Sequence, residues 1–188
     1  MHANKRSFLK RSFLFRPLLI LLSVLGLGFV PAISTVQAQE IENLGTFKFW
    51  TAWKARDSKG VICYISSQPQ VALPTNVNRD PIHFLVVNRL GEGTINEVQI
   101  LLGYPLDPNF EGELSIGNQR FGTLVDKDQQ SPSTLWGIPS DERSIVNAMK
   151  AGSSMTVKAR SQRGTNTTDT YSLSGVTAAL QKVTQTCG

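Results

Sequence analysis

Few residues in this 188-residue chain have the types and spacing that catalysis needs. His83 is the only histidine beyond the first forty residues, so a Ser-His-Asp or Cys-His arrangement would have to use it. It stands between Ile82 and Phe84 in an apolar run, where a structural histidine packed against its neighbours is the usual finding. The motifs GxSxG, HExxH and GxGxxG do not occur. We therefore predict no catalytic residue, with a small hydrolase as the alternative.

Carboxylates occur in close pairs, which general acid–base chemistry can use. Asp141 and Glu142 are better explained by the start of a helix, where negative charge is favourable. The other pairs flank expected hairpins: Glu111 with Glu113, and Asp126 with Asp128. A glycosidase-type pair drawn from distant strands stays open on sequence alone.

The two cysteines, Cys63 and Cys187, predict one disulfide. In GVTAALQKVTQTC, Cys187 falls on the apolar stripe of an amphipathic helix, and in VICYIS, Cys63 alternates onto one face of a strand. Exported thiols meet an oxidising compartment, which favours pairing; two unpaired buried thiols are the alternative. Two cysteines and one histidine fall short of four zinc ligands, so no metal and no cofactor is expected.

The first 38 residues have the pattern of a secretory signal peptide. A basic segment is followed by the apolar run Leu18–Val30 and by a small-residue ending at Ala38. Cleavage is expected between Ala38 and Gln39, which leaves residues 39–188 as a single domain. The alternative is an uncleaved anchor, but thirteen residues of helix rise only about 20 Å, less than the roughly 30 Å hydrocarbon core.

The same segment predicts where the protein goes. KRSFLK resembles a twin-arginine signal with lysine in the first position, but the strongly apolar run favours the general secretory route. We expect a periplasmic protein, with release from the cell as the alternative. Contact with the membrane is expected only through the signal peptide during export.

The charge pattern excludes one class of partner. The leader holds five of the 19 basic residues and none of the 14 acidic residues, so the mature part has no net charge. Because the basic excess belongs to the leader, it gives no support to binding of nucleic acid.

Short strand-like runs separated by turn residues dominate the mature part. They are FKFWTAW, IHFLVVN, INEVQILL, ELSIGNQRFGTLV with its Gly117-Asn118 turn, SMTVKAR and TYSLSG. Two helices are expected, SDERSIVNAMKAG with Ser140 as N-cap and the C-terminal GVTAALQKVTQTC. This pattern predicts a mainly β fold, an antiparallel sandwich or barrel-like domain with two short peripheral helices. Ser66–Pro81 is the one long irregular stretch, which is typical of a mobile or functional segment.

Trp50 is a candidate partner-binding residue. It has the opposite parity to Phe47, Phe49 and Trp53, so it is expected to project outward between two lysines. An exposed tryptophan with flanking cations suits a sugar ring or a protein anchor. The alternative is a second buried face of the strand.

Arg160 and Arg163 are the other candidate partner-binding residues. They lie in the expected loop RSQRGTNTT, where the backbone amides near Gly164 could help them hold an acidic group. A solvated hairpin turn is the alternative.

Several segments resemble one family. CYISSQPQ, DPIHFLVVNR, NEVQILLGYP and NAMKAGSSMTVKARSQRGTNTTDTYSLSGVTAAL, with the terminal cysteine, resemble the invasion-associated locus B family of bacterial envelope proteins. The likeness covers Trp53 to Cys187 and is most specific from Met149 to Leu180. It implies an exported protein with a β-rich fold, and the absence of cysteines between Cys63 and Cys187 resembles the single-disulfide branch. The family carries no known catalytic residue over to this chain.

These observations predict a non-catalytic, exported envelope protein that binds an envelope or host protein or a glycan. The alternatives are a small periplasmic hydrolase and a purely structural accessory protein of the envelope.

Overall fold

Eleven antiparallel strands, two α-helices and one turn of 3-10 helix (Leu90–Glu92) lie within residues 40–126 and 130–187, the part of the chain that the computed structural model describes. The expected cleavage site between Ala38 and Gln39 lies outside these residues. The strands are β1 (Ile41–Phe47), β2 (Trp50–Asp57), β3 (Gly60–Ser67), β4 (Val71–Leu73), β5 (His83–Arg89), β6 (Thr94–Leu101), β7 (Glu113–Ile116), β8 (Gln119–Val125), β9 (Thr134–Gly137), β10 (Ser154–Arg160) and β11 (Asn166–Ser172). The helices are α1 (Glu142–Ala151) and α2 (Val176–Cys187).

The strands form one continuous sheet in the order β1-β2-β3-β5-β6-β9-β8-β7-β10-β11-β4. We call β1, β2, β3, β5, β6 and β9 the first half-sheet, and β8, β7, β10, β11 and β4 the second half-sheet. Within the described residues the sheet is not closed, because β1 and β4 each pair on one side only. The predicted mainly β, antiparallel architecture with two helices is confirmed.

Alternation of apolar residues determines which face of each strand is buried. The alternation of apolar and polar residues in INEVQILL and SMTVKAR predicts that Val98 and Ile100 in β6, and Met155, Val157 and Ala159 in β10, face inward, and all five are buried. These side chains meet in one apolar core, which defines the inner face of the sheet. The hairpin predicted at Gly117-Asn118 joins β7 to β8.

Both helices cover the inner face. α1 buries Ile145, Val146 and Met149 in the core, and α2 buries the stripe that contains Cys187. The N-cap of α1 is Asp141 and not the predicted Ser140, whose hydroxyl instead donates a hydrogen bond to the Asp141 carboxylate at 3.2 Å. Within the described part of the chain, no helix is long and apolar enough to cross a membrane.

FKFWTAW is two strands and not one. β1 ends at Phe47 and β2 begins at Trp50, with a tight turn at Lys48, whose φ is +55°. The turn shifts the parity of the residues after it, so Phe49 is exposed and Trp50 faces inward. The predicted outward projection of Trp50 is therefore wrong.

The turn between β1 and β2 packs against the start of α2. The Phe49 amide donates to the Ser174 carbonyl at 3.3 Å. Gly175, with φ of +101°, lies so close to this turn that a Cβ atom there would sit 1.8 Å from the Phe47 carbonyl oxygen. Only glycine fits this contact, because both the backbone conformation and the space exclude a side chain.

Candidate functional site

The predicted disulfide between Cys63 and Cys187 is present. The two Cα atoms are 6.5 Å apart, and the bridge links residues 124 positions apart in sequence. Both sulfurs lie on the inner face, where α2 packs against β2 and β3. The bridge therefore fixes the end of the chain to an early strand.

The structure does not bring the three candidate partner-binding residues together on one surface. Trp50 is 0% exposed; its indole N–H donates to the Ser172 carbonyl at 2.9 Å, and its ring meets Phe84 edge-on. Arg160 and Arg163 are exposed, at the hairpin between β10 and β11. Trp50 thus holds the core together, and only the two arginines are accessible to a partner.

In the hairpin that contains Arg160 and Arg163, two backbone amides are hydrogen-bonded within the hairpin itself. The Gly164 amide donates to the Ser161 carbonyl at 2.8 Å, and the Thr165 amide donates to the Ser161 hydroxyl at 3.1 Å. These two amides therefore do not point at a ligand, contrary to the expectation for the backbone near Gly164. Any anion here would depend on the arginine side chains.

Among the described residues, no acid or base lies close enough to His83 to influence its pKa, so none stands in the place of a triad partner. His83 is half-buried at the start of β5, and burial lowers its pKa below the ordinary value. Burial likewise raises the pKa of Glu142, although its carboxylate accepts a hydrogen bond from the Val98 amide at 3.1 Å. That contact ties the start of α1 to β6, which is a structural role. Among the described residues no cluster of three His, Cys, Asp or Glu could hold a metal ion.

The outer face of the first half-sheet, together with Leu124 of the adjoining strand β8, carries an aromatic surface that the sequence did not reveal. Directly paired residues share a face, and the pairs here are Trp53 with Tyr64, and Gln99 with Trp136. The residue before or after each of these four is buried in the core (Ala52, Cys63, Ile100 and Leu135), so the four side chains point outward. We call the outer surface formed by Trp53, Tyr64, Leu85, Arg89, Glu97, Gln99, Leu124 and Trp136 the outer aromatic face.

Trp53 and Tyr64 form one aromatic end of this face. Their ring planes differ by 19° and their centroids are 6.3 Å apart. The indole N–H of Trp53 donates to the Ser66 hydroxyl at 2.9 Å, which fixes the ring. Partial burial raises the pKa of Tyr64 above its ordinary value. The pair therefore presents a rigid, half-buried apolar surface with polar atoms at its edge.

Trp136 forms the other aromatic end. It pairs with Gln99 on one side and with Leu124 on the other. Leu124 is 48% exposed, and Trp136 itself is half-buried. This end is therefore an apolar surface in contact with solvent.

Between the two aromatic ends lie Glu97 and Gln99 in β6, opposite the apolar Val87 and Leu85 in β5. Val87 is 3% exposed, and Arg89 lies further along β5 at the rim of the face, where it pairs with Thr94. Glu97 accepts hydrogen bonds from Arg89 at 3.2 Å and from the carboxamide of Gln99. All three side chains are half-buried. Because Arg89, Glu97 and Gln99 bind one another, their side chains are held in fixed positions, with Glu97 and Gln99 inside the face and Arg89 at its rim.

Nothing among the described helices covers this surface. α2 is bonded to Cys63 on the inner face, and the start of α1 contacts Val98 and Gly137, which also face inward. Within the described part of the chain, no α-helix covers the outer aromatic face, so its half-buried aromatic side chains stay partly in contact with solvent.

A second unexpected feature is a buried ion pair inside the domain. Arg79 donates two hydrogen bonds to the Asp169 carboxylate, at 2.7 and 2.6 Å, and a third to the Leu102 carbonyl at 3.0 Å. The two side chains are 6% and 0% exposed. Burial alone lowers the pKa of Arg79, but the hydrogen bonds and charge of Asp169 outweigh it and raise that pKa.

Aromatic and hydroxyl groups surround the ion pair. The guanidinium of Arg79 lies 4.9 Å from the ring centroid of Tyr104, whose hydroxyl hydrogen-bonds Thr167. Since Asp169 is enclosed and held by a bidentate arginine, it is a structural anchor and not an accessible base. The ion pair fixes the position of Arg79 in the segment Ser66–Pro81, which was predicted to be irregular and also contains the short strand β4.

Sequence contained signals for both features. VICYIS places Tyr64 opposite to Cys63, and NTTDTYS places Asp169 on the same face as Tyr171. NTTD was expected in a loop, but β11 begins at Asn166 because the preceding turn is shorter than expected. A buried aspartate demands a basic partner, yet no pattern identifies Arg79 as that partner.

Fold and surface together define an antiparallel β-domain whose C-terminal helix is fixed by a disulfide. A family model described as Invasion associated locus B (IalB) protein matches residues 139–184, which run from before α1 into α2. The crystal structure of invasion associated protein b from Bartonella henselae superposes with a TM-score of 0.53 and 16% sequence identity, and covers 79% of this chain and 97% of that chain. No curated protein matches the sequence.

These findings confirm the resemblance to the invasion-associated locus B family. The matched segment contains Met149 to Leu180, the most specific part of the likeness. At 16% identity, the Bartonella henselae structure shows a shared fold alone. The outer aromatic face lies outside the matched segment, so its role must be argued from its own chemistry.

Proposed function

We propose that the chain is an exported, non-catalytic protein of the bacterial envelope that binds a protein or glycan partner through the outer aromatic face. The observation that carries this proposal is the uncovered surface between Trp53 and Trp136. Large aromatic side chains at a half-buried surface are typical of binding sites, because they contribute contact area at low entropic cost. The family likeness and the leader support export.

Arg160 and Arg163 stay in the proposal as secondary candidates. Both are exposed, but the Arg160 guanidinium lies 3.9 Å from the Asp107 carboxylate. Part of its charge is therefore already balanced, and we assign the main contact to the aromatic surface.

Site-specific photo-crosslinking in the bacterial envelope tests the binding site. A photoreactive phenylalanine replaces Leu124 on the outer aromatic face, and in the control chain it replaces Val71 on the second half-sheet. The two positions are matched, since they are 48% and 47% exposed. We expect an adduct at position 124 that Trp136→Ala diminishes, and none at position 71. Equal yields at both positions, or no adduct at either, would contradict the proposal.

Fractionation of cells that express the full chain tests export. We expect the periplasmic fraction to contain a protein whose intact mass begins at Gln39. A chain that keeps its first 38 residues and stays in the inner membrane would overturn this part of the proposal.

A further inference from the structure

We infer that the outer aromatic face binds a neutral oligosaccharide of about three to four pyranose rings, laid across the strands from Trp53 and Tyr64 to Trp136. This inference rests on the proposed function and specifies the chemistry of the partner. The face has two aromatic ends with a polar centre, and each part matches one part of a sugar chain.

The spacing of the two aromatic ends sets the length of the ligand. Tyr64 in β3 and Trp136 in β9 are separated by β5 and β6. Neighbouring strands lie about 4.8 Å apart, so the three steps cover about 14 Å, and an offset of two residues along β6 brings the distance to about 16 Å, the length of roughly three linked pyranose rings. A single sugar ring can therefore contact one aromatic end but not both.

The polar centre favours a sugar over a protein surface. The cores of protein interfaces are depleted of charged residues, because burying a charge against an apolar partner removes its water without replacement. Here Glu97 and Gln99 occupy the middle of the face beside Leu85 and Val87, and Arg89 at the rim holds the Glu97 carboxylate in position. Planar groups with several donors and acceptors suit the paired hydroxyls of a sugar, while the apolar faces of the sugar rings pack on Trp and Tyr.

The charge of the face favours a neutral ligand. Arg89 is paired with Glu97 at 3.2 Å, and Lys59 is paired with Glu92 at the adjoining turn. Positive and negative groups are therefore balanced. The second half-sheet differs, because Arg120, Lys158 and Arg160 share its outer surface with fewer acids. An acidic glycan would be attracted to that surface and not to the aromatic one.

The test is titration of the mature, disulfide-bonded protein with three neutral tetrasaccharides, followed by tryptophan fluorescence and amide chemical shifts. The probes are β-1,4-linked N-acetylglucosamine, β-1,4-linked glucose and α-1,4-linked glucose, with the monosaccharides and an acidic tetragalacturonide for comparison. We expect saturable binding of at least one neutral tetramer, at least about tenfold tighter than its monosaccharide. Trp136→Ala and Gln99→Ala should each weaken binding about tenfold, and Trp136→Phe should restore most of it.

Thr156→Ala, on the outer face of the second half-sheet, is the matched control and should bind as the parent does. The inference is overturned if no neutral tetramer binds saturably, if the tetragalacturonide binds more tightly, or if Trp136→Ala changes nothing. If the protein forms a homodimer that Trp136→Ala dissociates, the face binds a second copy of this chain, and the oligosaccharide inference is also overturned. A protein adduct at position 124 without tetrasaccharide binding would refute the sugar while leaving the proposed function intact.

Discussion

Asp169 is a fully buried carboxylate whose partner, Arg79, lies 90 residues earlier in the chain. A lone buried charge is strongly unfavourable, so the pair can exist only because the guanidinium satisfies both oxygens. The consequence is local order, since Arg79 fixes the segment between β4 and β5 onto β11. Removal of either partner would therefore leave the other as an unpaired buried charge.

We predict that Asp169→Asn lowers the free energy of unfolding by about 3–5 kcal/mol, because it leaves the Arg79 guanidinium buried without a counter-charge. Urea unfolding of the mature protein, monitored by circular dichroism, measures the change. The control is Arg120→Ala, which removes an exposed partner 3.7 Å from Glu113 and should cost less than about 1 kcal/mol. If Asp169→Asn lowers the free energy of unfolding no more than Arg120→Ala does, the Arg79–Asp169 pair is not a structural anchor.

At the scale of elements, α2 is held to the sheet in two ways. Its apolar stripe, which includes Ala179, Leu180 and Val183, packs in the core, and its last residue is bonded to β3 through Cys187. Packing acts on the folded state, whereas a cross-link acts mainly on the unfolded chain by limiting its freedom. The two contributions can therefore be separated by reduction.

We predict that reducing the disulfide, or replacing both Cys63 and Cys187 by Ser, lowers the free energy of unfolding by about 4–5 kcal/mol in the chain-entropy model for so long a loop. Helical circular dichroism at low urea should stay unchanged, since the apolar stripe of α2 is intact. Comparison of urea midpoints for oxidised, reduced and double-serine protein provides the measurement. Identical midpoints for the three forms would show that the bridge contributes nothing.

At the scale of the whole molecule, the environments of the tyrosines link stability to pH. All three tyrosines of the chain, Tyr64, Tyr104 and Tyr171, have pKa values raised above the ordinary value, with burial as the largest cause in each case. The nearby Asp169 charge further raises the pKa of Tyr171. The fold therefore favours the neutral phenol at every tyrosine.

We predict that stability is unaffected by tyrosine ionisation below pH about 10 and falls as the pH rises above it, because the unfolded chain then loses protons that the folded chain keeps. Ultraviolet absorbance of the phenolate should show no transition near the ordinary pKa in the native protein. The same titration in concentrated urea should show all three tyrosines ionising together. A native tyrosine that titrates at its ordinary pKa would contradict this prediction.

Sequence reasoning succeeded where a local pattern decides the outcome. Alternation in INEVQILL and SMTVKAR identified the buried faces of β6 and β10, and Gly117-Asn118 identified a hairpin. It failed for Trp50, because the turn at Lys48 has no strong turn residue and reverses the parity of the strand after it. Because this turn was missed, the prediction placed the buried Trp50 on the outer face and the outward-facing Trp53 on the inner face.

Periodicity and residue type act over short distances along the chain, so the sequence was enough to predict the fold class, the inner faces of β3, β6 and β10, and the two cysteines that pair. Contacts between distant segments became visible only in the folded chain: Arg79 meets Asp169, and Trp53, Tyr64, Gln99 and Trp136 share one outer surface. The physical reason is strand order: β9 lies beside β6 and β11 beside β4, and such pairing between distant segments depends on the packing of the whole sheet.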